Sequence, residues 1–392
     1  MRTFGSYWTA LHRGVTGARG AWKERLPNVT PASVLWWTAA LAGLFLLLLG
    51  LHPRSAPPPA IISTYPAPQL RGLWKRSDAS RAAYAAISAE RALEQFSKAD
   101  RGTLEKLRIG RYVPENDQRL PAHERPSGYY FMSLTPDLVG DAMLRSGGFW
   151  DEPYLHAIFD VARRWTPHDH GRSKIVLDVG MNFGTFALYT AALGYQVHAF
   201  EMQPNVAAIV QLALRMNGRI GERVTIHHVA VSDELNGNVS FYDSTGNLGM
   251  AGALPVNDAY AIPGVAVPAM RMDAVLRLHE QVTGTRLPPI FFVKIDVEGH
   301  DLHALRSFGR WWLARIDHVV IEVKESEVYA QCGRLLVEAG FLCQYVTDSR
   351  RPHPHRFTSV PADSFPDYGA LWCARPRAVT AMKRTMVEST GM

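Results

Sequence analysis

The chain has 392 residues, a formal net charge of +6 at pH 7 and a sequence pI ≈ 9.2. Residues 1–54 carry six cations (Arg2, Arg13, Arg19, Lys23, Arg25, Arg54) against Glu24 alone, so 36 cations face 35 anions in the remainder. A nearly neutral body excludes a basic groove for nucleic-acid backbones, and 47% hydrophobic with 20% charged residues excludes a disordered or fibrous chain. Cys332, Cys343 and Cys373 exclude a disulfide framework or a closed cysteine zinc site, leaving room for one bridge and one thiol.

Residues 1–33 are Arg-rich and acid-poor. From Val34 to Leu51 the sequence VLWWTAALAGLFLLLLGL carries no charge. At ~1.5 Å per residue this is enough helix to span a hydrocarbon core of roughly 30 Å, with Trp36 and Trp37 at the headgroup edge. A cleaved signal peptide has a shorter leader, and an organelle transit peptide is the weaker alternative. The run therefore reads as an uncleaved signal anchor over 34–52. The positive flank keeps 1–33 cytosolic and sends the body across the membrane. The expectation is a single-pass type II protein of the secretory pathway, in the Golgi.

Residues 53–128 read as a stem. A Pro-rich spacer over 55–70 precedes an Ala-, Glu- and Lys-rich helix from Asp78 to about Leu107, whose thin apolar stripe suits self-association or packing on the body. The segment 129–376 reads as the globular domain and 377–392 as a tail.

Within the body, helical patterns at Tyr154–Trp165, Thr185–Leu193, Val206–Met216, Asp301–Phe308 and Ser326–Ala339 alternate with strand patterns. The strands fall at Ile175–Val179, Gln196–Phe200, Val224–Val231, Ile290–Ile295 and Val319–Val323. Such alternation predicts an α/β fold with a doubly wound, mostly parallel sheet. Strands near Phe341–Val346 and Ala370–Ala374 are expected to form an antiparallel edge.

Ligands of these folds bind beyond the carboxyl ends of the strands, where the polar residues collect here. The first strand runs into Asp178-Val179-Gly180-Met181-Asn182-Phe183-Gly184, whose glycines permit a sharp turn and close ligand approach. The second ends in Glu201, suited to the two hydroxyls of a ribose, and the third in Ser232-Asp233, suited to an adenine amino group. The fourth ends in Lys294-Ile295-Asp296-Val297-Glu298-Gly299-His300-Asp301, and the fifth in Glu322 and Lys324. The turn lacks the G-x-G-x-x-G dinucleotide fingerprint and the P-loop ending.

The segments VLDVGMNFGTFALYTAALGYQVHAFEMQP, VAVSD and FFVKIDVEGHDLHALRSF resemble the FkbM-type S-adenosylmethionine-dependent methyltransferases over roughly residues 145–345. Met181, where the family usually has Ala, and Glu201-Met202-Gln203-Pro204, in place of Glu-Pro, depart from its pattern. The resemblance implies a Rossmann-like methyltransferase sheet and S-adenosylmethionine as cofactor. Asp178 would order the glycine loop and receive the methionine ammonium, with Gly180, Asn182 and Gly184 lining methionine and ribose. Glu201 would hold the ribose diol, and Ser232 and Asp233 would flank adenine. The family's acceptors imply O-methylation of a hydroxyl on a sugar or another small molecule.

Methyl transfer to a hydroxyl needs in-line positioning and a base. A strand continuing through Asp296 and Glu298 is expected to send them to opposite sides, which favours Asp296 as the base. Glu298 is then assigned to substrate or a helix cap, and His300 is a second base candidate. No metal is expected, although Glu322 would complete an oxygen set with the pair. A membrane-anchored scaffold that keeps the fold without turnover is the alternative reading.

Overall fold

The computed structural model describes residues 105–117, 119–149, 153–166, 175–234, 237–242, 247–255, 258, 260–262, 265–323, 326–347, 351–359 and 369–390. The N-terminal tail, the anchor over 34–52, the stem as far as residue 104, and Lys324 lie outside them. Among the described residues no helix is long and apolar enough to cross a membrane.

Two strands, β1 (Leu107–Tyr112) and β2 (Tyr129–Leu134), pair antiparallel, followed by helices α1 (Leu138–Ser146) and α2 (Pro153–Trp165). Strand β1 falls in the segment read as stem, yet it is hydrogen-bonded to β2 along its length and ends in the buried Tyr112. The alternation follows as β3 (Ile175–Val179), α3 (Thr185–Ala192), β4 (Gln196–Glu201), α4 (Pro204–Met216) and β5 (Val224–His228). The short β6 (Ala230–Val231), β7 (Gly237–Phe241), β8 (Ala253–Pro255) and β9 (Val267–Met270) build a separate small sheet in the order β6-β9-β7-β8. The chain returns through α5 (Met272–Thr283), β10 (Ile290–Ile295), α6 (Asp301–Arg306), α7 (Gly309–Leu313), β11 (Ile316–Val323) and α8 (Ser326–Glu338). It ends with β12 (Leu342–Val346), β13 (Gly369–Ala374) and α9 (Pro376–Thr390).

The main sheet has the order β12-β13-β11-β10-β3-β4-β5. It is parallel except for β13, which runs antiparallel to both β11 and β12, giving the expected mixed edge. The run Val224–Val231, read as one strand, is two: β5 pairs with β4, whereas β6 pairs with β9 in the small sheet. The segment read as a C-terminal tail is α9, which starts on Pro376 and buries Ala378, Val379 and Met382. The folded body thus extends past 129–376 at both ends.

Each face of the sheet is covered. Helices α2, α3, α4 and α9 pack over Val176, Val197, Ala199, Ile226, Phe292 and Val320. Helices α5 to α8 cover Leu177, Val179, Phe200, Val293, Ile295 and Ile321. Alternation along each strand then fixes where the polar residues point. Asp178 follows Leu177, Lys294 follows Val293, and Glu322 follows Ile321, so all three face the α2–α4 side. In β10 this phase is set by a register irregularity between Ile290 and Phe292. The order reverses between β3 and β10, so the crevice expected of an open α/β sheet lies beyond their carboxyl ends.

A disulfide joins Cys343 to Cys373, register partners on β12 and β13, and Cys332 is a buried free thiol. This is the one-bridge arrangement that three cysteines allow.

Candidate active site

The centre of the site is a buried lysine. Lys294 and Asp178 are register partners on adjacent strands, and the Lys294 Nζ lies 3.3 Å from Asp178 Oδ1 and 3.5 Å from Asp296 Oδ2. Nζ also donates to the Gly180 carbonyl at 2.6 Å. Burial works against the charge of Lys294, but the carboxylates of Asp178, Asp296 and Glu322 outweigh it and raise its pKa, so it stays an ammonium. Burial raises the pKa of Asp178, opposed by Lys294. Sequence reading placed Lys294 at a strand end without giving it a role. The available signal was a lone cation inside the apolar run FFVKI, which no isolated strand would bury.

Beyond β3 the chain turns on two glycines. A Cβ on Gly180 (φ 78) would stand 1.8 Å from the Asp296 carbonyl oxygen, so glycine here lets the ends of β3 and β10 touch. A Cβ on Gly184 (φ 73) would press on Val210 of α4 at 2.9 Å. Gly180 thus lets two main chains meet, and Gly184 leaves room for the Val210 side chain. Between them Asn182 adopts the left-handed region at φ 49, which asparagine tolerates better than most residues.

Glu201 ends β4 almost fully buried. Its Oε2 accepts from the Asn182 N–H and its Oε1 from the Gln203 N–H, both at 2.9 Å. Burial raises its pKa, and those two N–H donors and Lys294 oppose the rise. Two donors occupy one lone-pair site on each oxygen of a group that offers about four. The carboxylate is therefore fixed in orientation with accepting capacity to spare.

Residues Asn247 to Met250 reach this corner. Leu248 N–H donates to Asp137 Oδ2, Gln203 Nε2 donates to the Leu248 carbonyl, and a Cβ on Gly249 would stand 2.9 Å from Asn182 Nδ2. Asp137 also caps α1 through the Gly140 N–H.

Asp296 and Glu298 do not diverge as the sequence suggested. Residues two apart in a strand share a face, and β10 in any case ends at Ile295, with Glu298 turning through φ 54. A non-glycine residue at such φ carries ~1–2 kcal/mol of strain, a cost that clusters at functional sites. Asp296, Glu298 and Glu322 bring their carboxylate oxygens to within 4.8 Å of one another. Against the expectation of no metal, this oxygen set is close enough for a hard divalent cation.

His300 sits elsewhere in the constellation. Its Nε2 lies 2.8 Å from the buried Ser232 Oγ, and its ring stacks on His303 at 4.6 Å. His303 contacts Asp233 Oδ1 at 2.9 Å and Glu234 Oε2 at 3.1 Å, and was not singled out from the sequence. Burial first, then His303, lowers the pKa of His300 and keeps it neutral at pH 7. The structure thus brings Asp178, Gly180, Asn182, Glu201 and Asp296 together around Lys294 and the β3 turn. It gathers Ser232, Asp233 and His300 into a second group where β6 meets α6.

Residues 178–351 match the family model for the methyltransferase FkbM domain. No curated protein matches the chain. Among solved structures, a methyltransferase FkbM from Methylobacillus flagellatus KT is 15% identical with a TM-score of 0.31, covering 51% of this chain and 43% of that one. An S-adenosylmethionine-dependent O-methyltransferase from Thermotoga maritima is 13% identical with a TM-score of 0.29, covering 63% and 73%. The glycopeptide N-methyltransferase MtfA, complexed with S-adenosylmethionine, is 13% identical with a TM-score of 0.27, covering 55% and 92%. The mixed doubly wound sheet and the strand-end residues agree with this match of residues 178–351 to the methyltransferase FkbM domain.

Proposed function

We propose that the chain is an S-adenosylmethionine-dependent O-methyltransferase acting on a hydroxyl, with a glycan as the substrate class, from the lumenal side of a secretory-pathway membrane. The observation that carries the cofactor is Glu201, pinned by two main-chain N–H groups with a lone pair left on each oxygen. That is what a vicinal ribose diol requires. Beside it the Asn182 Oδ1 is buried without a hydrogen-bond partner, which fits the same group. Asp178 itself has no exposed surface, so its part is to hold Lys294, which in turn fixes the Gly180 carbonyl and the loop.

The cofactor supplies a methyl group on a sulfonium, already a good leaving group. The protein's task is alignment and removal of the acceptor's proton. Asp296, half-buried, paired with Lys294 and beside the β3 turn, is the residue proposed to take that proton. Glu298 and Glu322 orient the acceptor next to it. Ser232 and Asp233, held by His300 and His303, form the adenine side, which moves His300 from base candidate to support.

The membrane placement rests on the charge-free run Val34–Leu51 with five cations before it. The Cys343–Cys373 bridge supports an oxidising compartment for the body. Protease added to intact vesicles is expected to spare the body, and digestion of the body would reverse the topology. For the chemistry, glycan mass spectrometry of cells lacking the protein should show loss of single methyl increments. An unchanged glycan pool, with cofactor binding intact, would favour the scaffold reading.

A further inference from the structure

On the opposite side of the sheet from the carboxylates, three histidines from three elements converge. His198 of β4 alternates with Val197 and Ala199, which pack on the α2–α4 side, so its ring faces α5. His227 of β5 stacks on Phe200 of that same face, with ring centroids 4.8 Å apart. His279 comes down from α5, a helix whose Val275 and Leu276 are fully buried. One ring nitrogen of each histidine lies within 4.8 Å of the other two.

His198 Nδ1 and His227 Nε2 lie within hydrogen-bond distance of each other at 3.1 Å, a spacing that two ligands of one metal would also have. Two nitrogens bound at roughly 2.0–2.1 Å in a tetrahedral array around zinc lie about 3.3 Å apart. The His198 and His227 rings are nearly parallel at 11°, while His279 meets them edge-on at 86° and 83°. His198 and His227 are buried and His279 is half-buried, which leaves an approach from solvent on the helix side.

We propose that His198, His227 and His279 bind one divalent transition metal, zinc foremost, with water as the fourth ligand on the His279 side. The class follows from the donors: an all-imidazole set suits zinc, copper, nickel or cobalt, and magnesium or calcium would require oxygens. The metal would tie the edge strand β5 and strand β4 to α5. It would brace the strand that carries Glu201 from the face remote from the cofactor.

The test uses the purified full-length chain, stripped with a chelator, incubated with zinc sulfate and desalted, with bound metal measured by mass spectrometry. The expected result is one retained equivalent. Melting temperature should rise by about 5 °C at free zinc 100-fold above Kd. Cobalt(II) in place of zinc should give the visible absorption of a four-coordinate site. His279→Ala should lose at least tenfold in metal affinity, and His279→Gln, which keeps the side chain's bulk, guards against a merely unfolded variant. No retained zinc in the unmutated protein overturns the proposal. So does retention that survives both His279 variants, or that is lost on Glu298→Gln instead.

Discussion

Replacing Lys294 with methionine tests the architecture of the site from its centre. Methionine fills the same volume and removes the ammonium, leaving Asp178, which has no exposed surface, without its counter-charge. At the observed 3.3 Å and 3.5 Å, each attraction is worth about 5 kcal/mol gross at an effective dielectric of about 20. Desolvation of the ammonium offsets much of this, and removing one partner of a buried pair costs about 3–5 kcal/mol in practice. The lost hydrogen bond to the Gly180 carbonyl acts in the same direction. At ~2 °C per kcal/mol for a body of this size, the melting temperature should fall by about 6–10 °C. The deficit has a pH signature. Burial already raises the pKa of Asp178, opposed by Lys294, so without the lysine it rises further. A carboxyl with a raised folded-state pKa destabilises the fold while ionised and ceases to do so as pH falls through that value. The gap between variant and unmutated protein should therefore narrow on acidification, and Asp178→Asn added to Lys294→Met should recover part of the loss. A melting temperature within about 2 °C of the parent, with no narrowing at acid pH, would refute the reasoning.

Gly180→Ala should destabilise by about 2–4 kcal/mol and weaken cofactor binding, because its Cβ would stand 1.8 Å from the Asp296 carbonyl; thermal unfolding measures it. Glu298→Gly removes left-handed strain at φ 54, so the melting temperature should hold or rise by about 1–2 °C while methyl transfer falls. A drop of several degrees would show that Glu298 is structural. Affinity for S-adenosylhomocysteine should be full at neutral pH and decline as pH falls through the raised pKa of Glu201, above the ordinary carboxylate value of about 4.3. The sign follows because only the ionised carboxylate accepts from both hydroxyls; calorimetry across that window checks it.

Local signals made much of the fold readable. Short apolar, β-branched runs placed β3, β4, β10 and β11, and amphipathic spacing placed α2, α4 and α8. What the sequence could not show was partnership. The apolar run from Val224 to Val231 continues across Val229, so nothing local marks where β5 gives way to a strand of another sheet. Strand β1 alternates arginines with small and apolar residues and owes its existence to β2, and α9 has few apolar residues to announce it. The site divides the same way. Glu201 and the β3 turn stand at strand ends and are visible as such. The role of Lys294 depends on register with a strand more than a hundred residues away, and that of His303 on the return of α6 to the β6 end. The three histidines at 198, 227 and 279 form no motif and meet only through the fold.

The most direct test of the account is titration calorimetry of the purified full-length chain with S-adenosylhomocysteine, alongside Glu201→Ala. The account predicts one binding event in the unmutated protein and loss of most of that affinity in the variant, whose melting curve should remain cooperative. No heat of binding in the unmutated protein, or equal affinity in the folded variant, would contradict the cofactor site and the methyl transfer built on it.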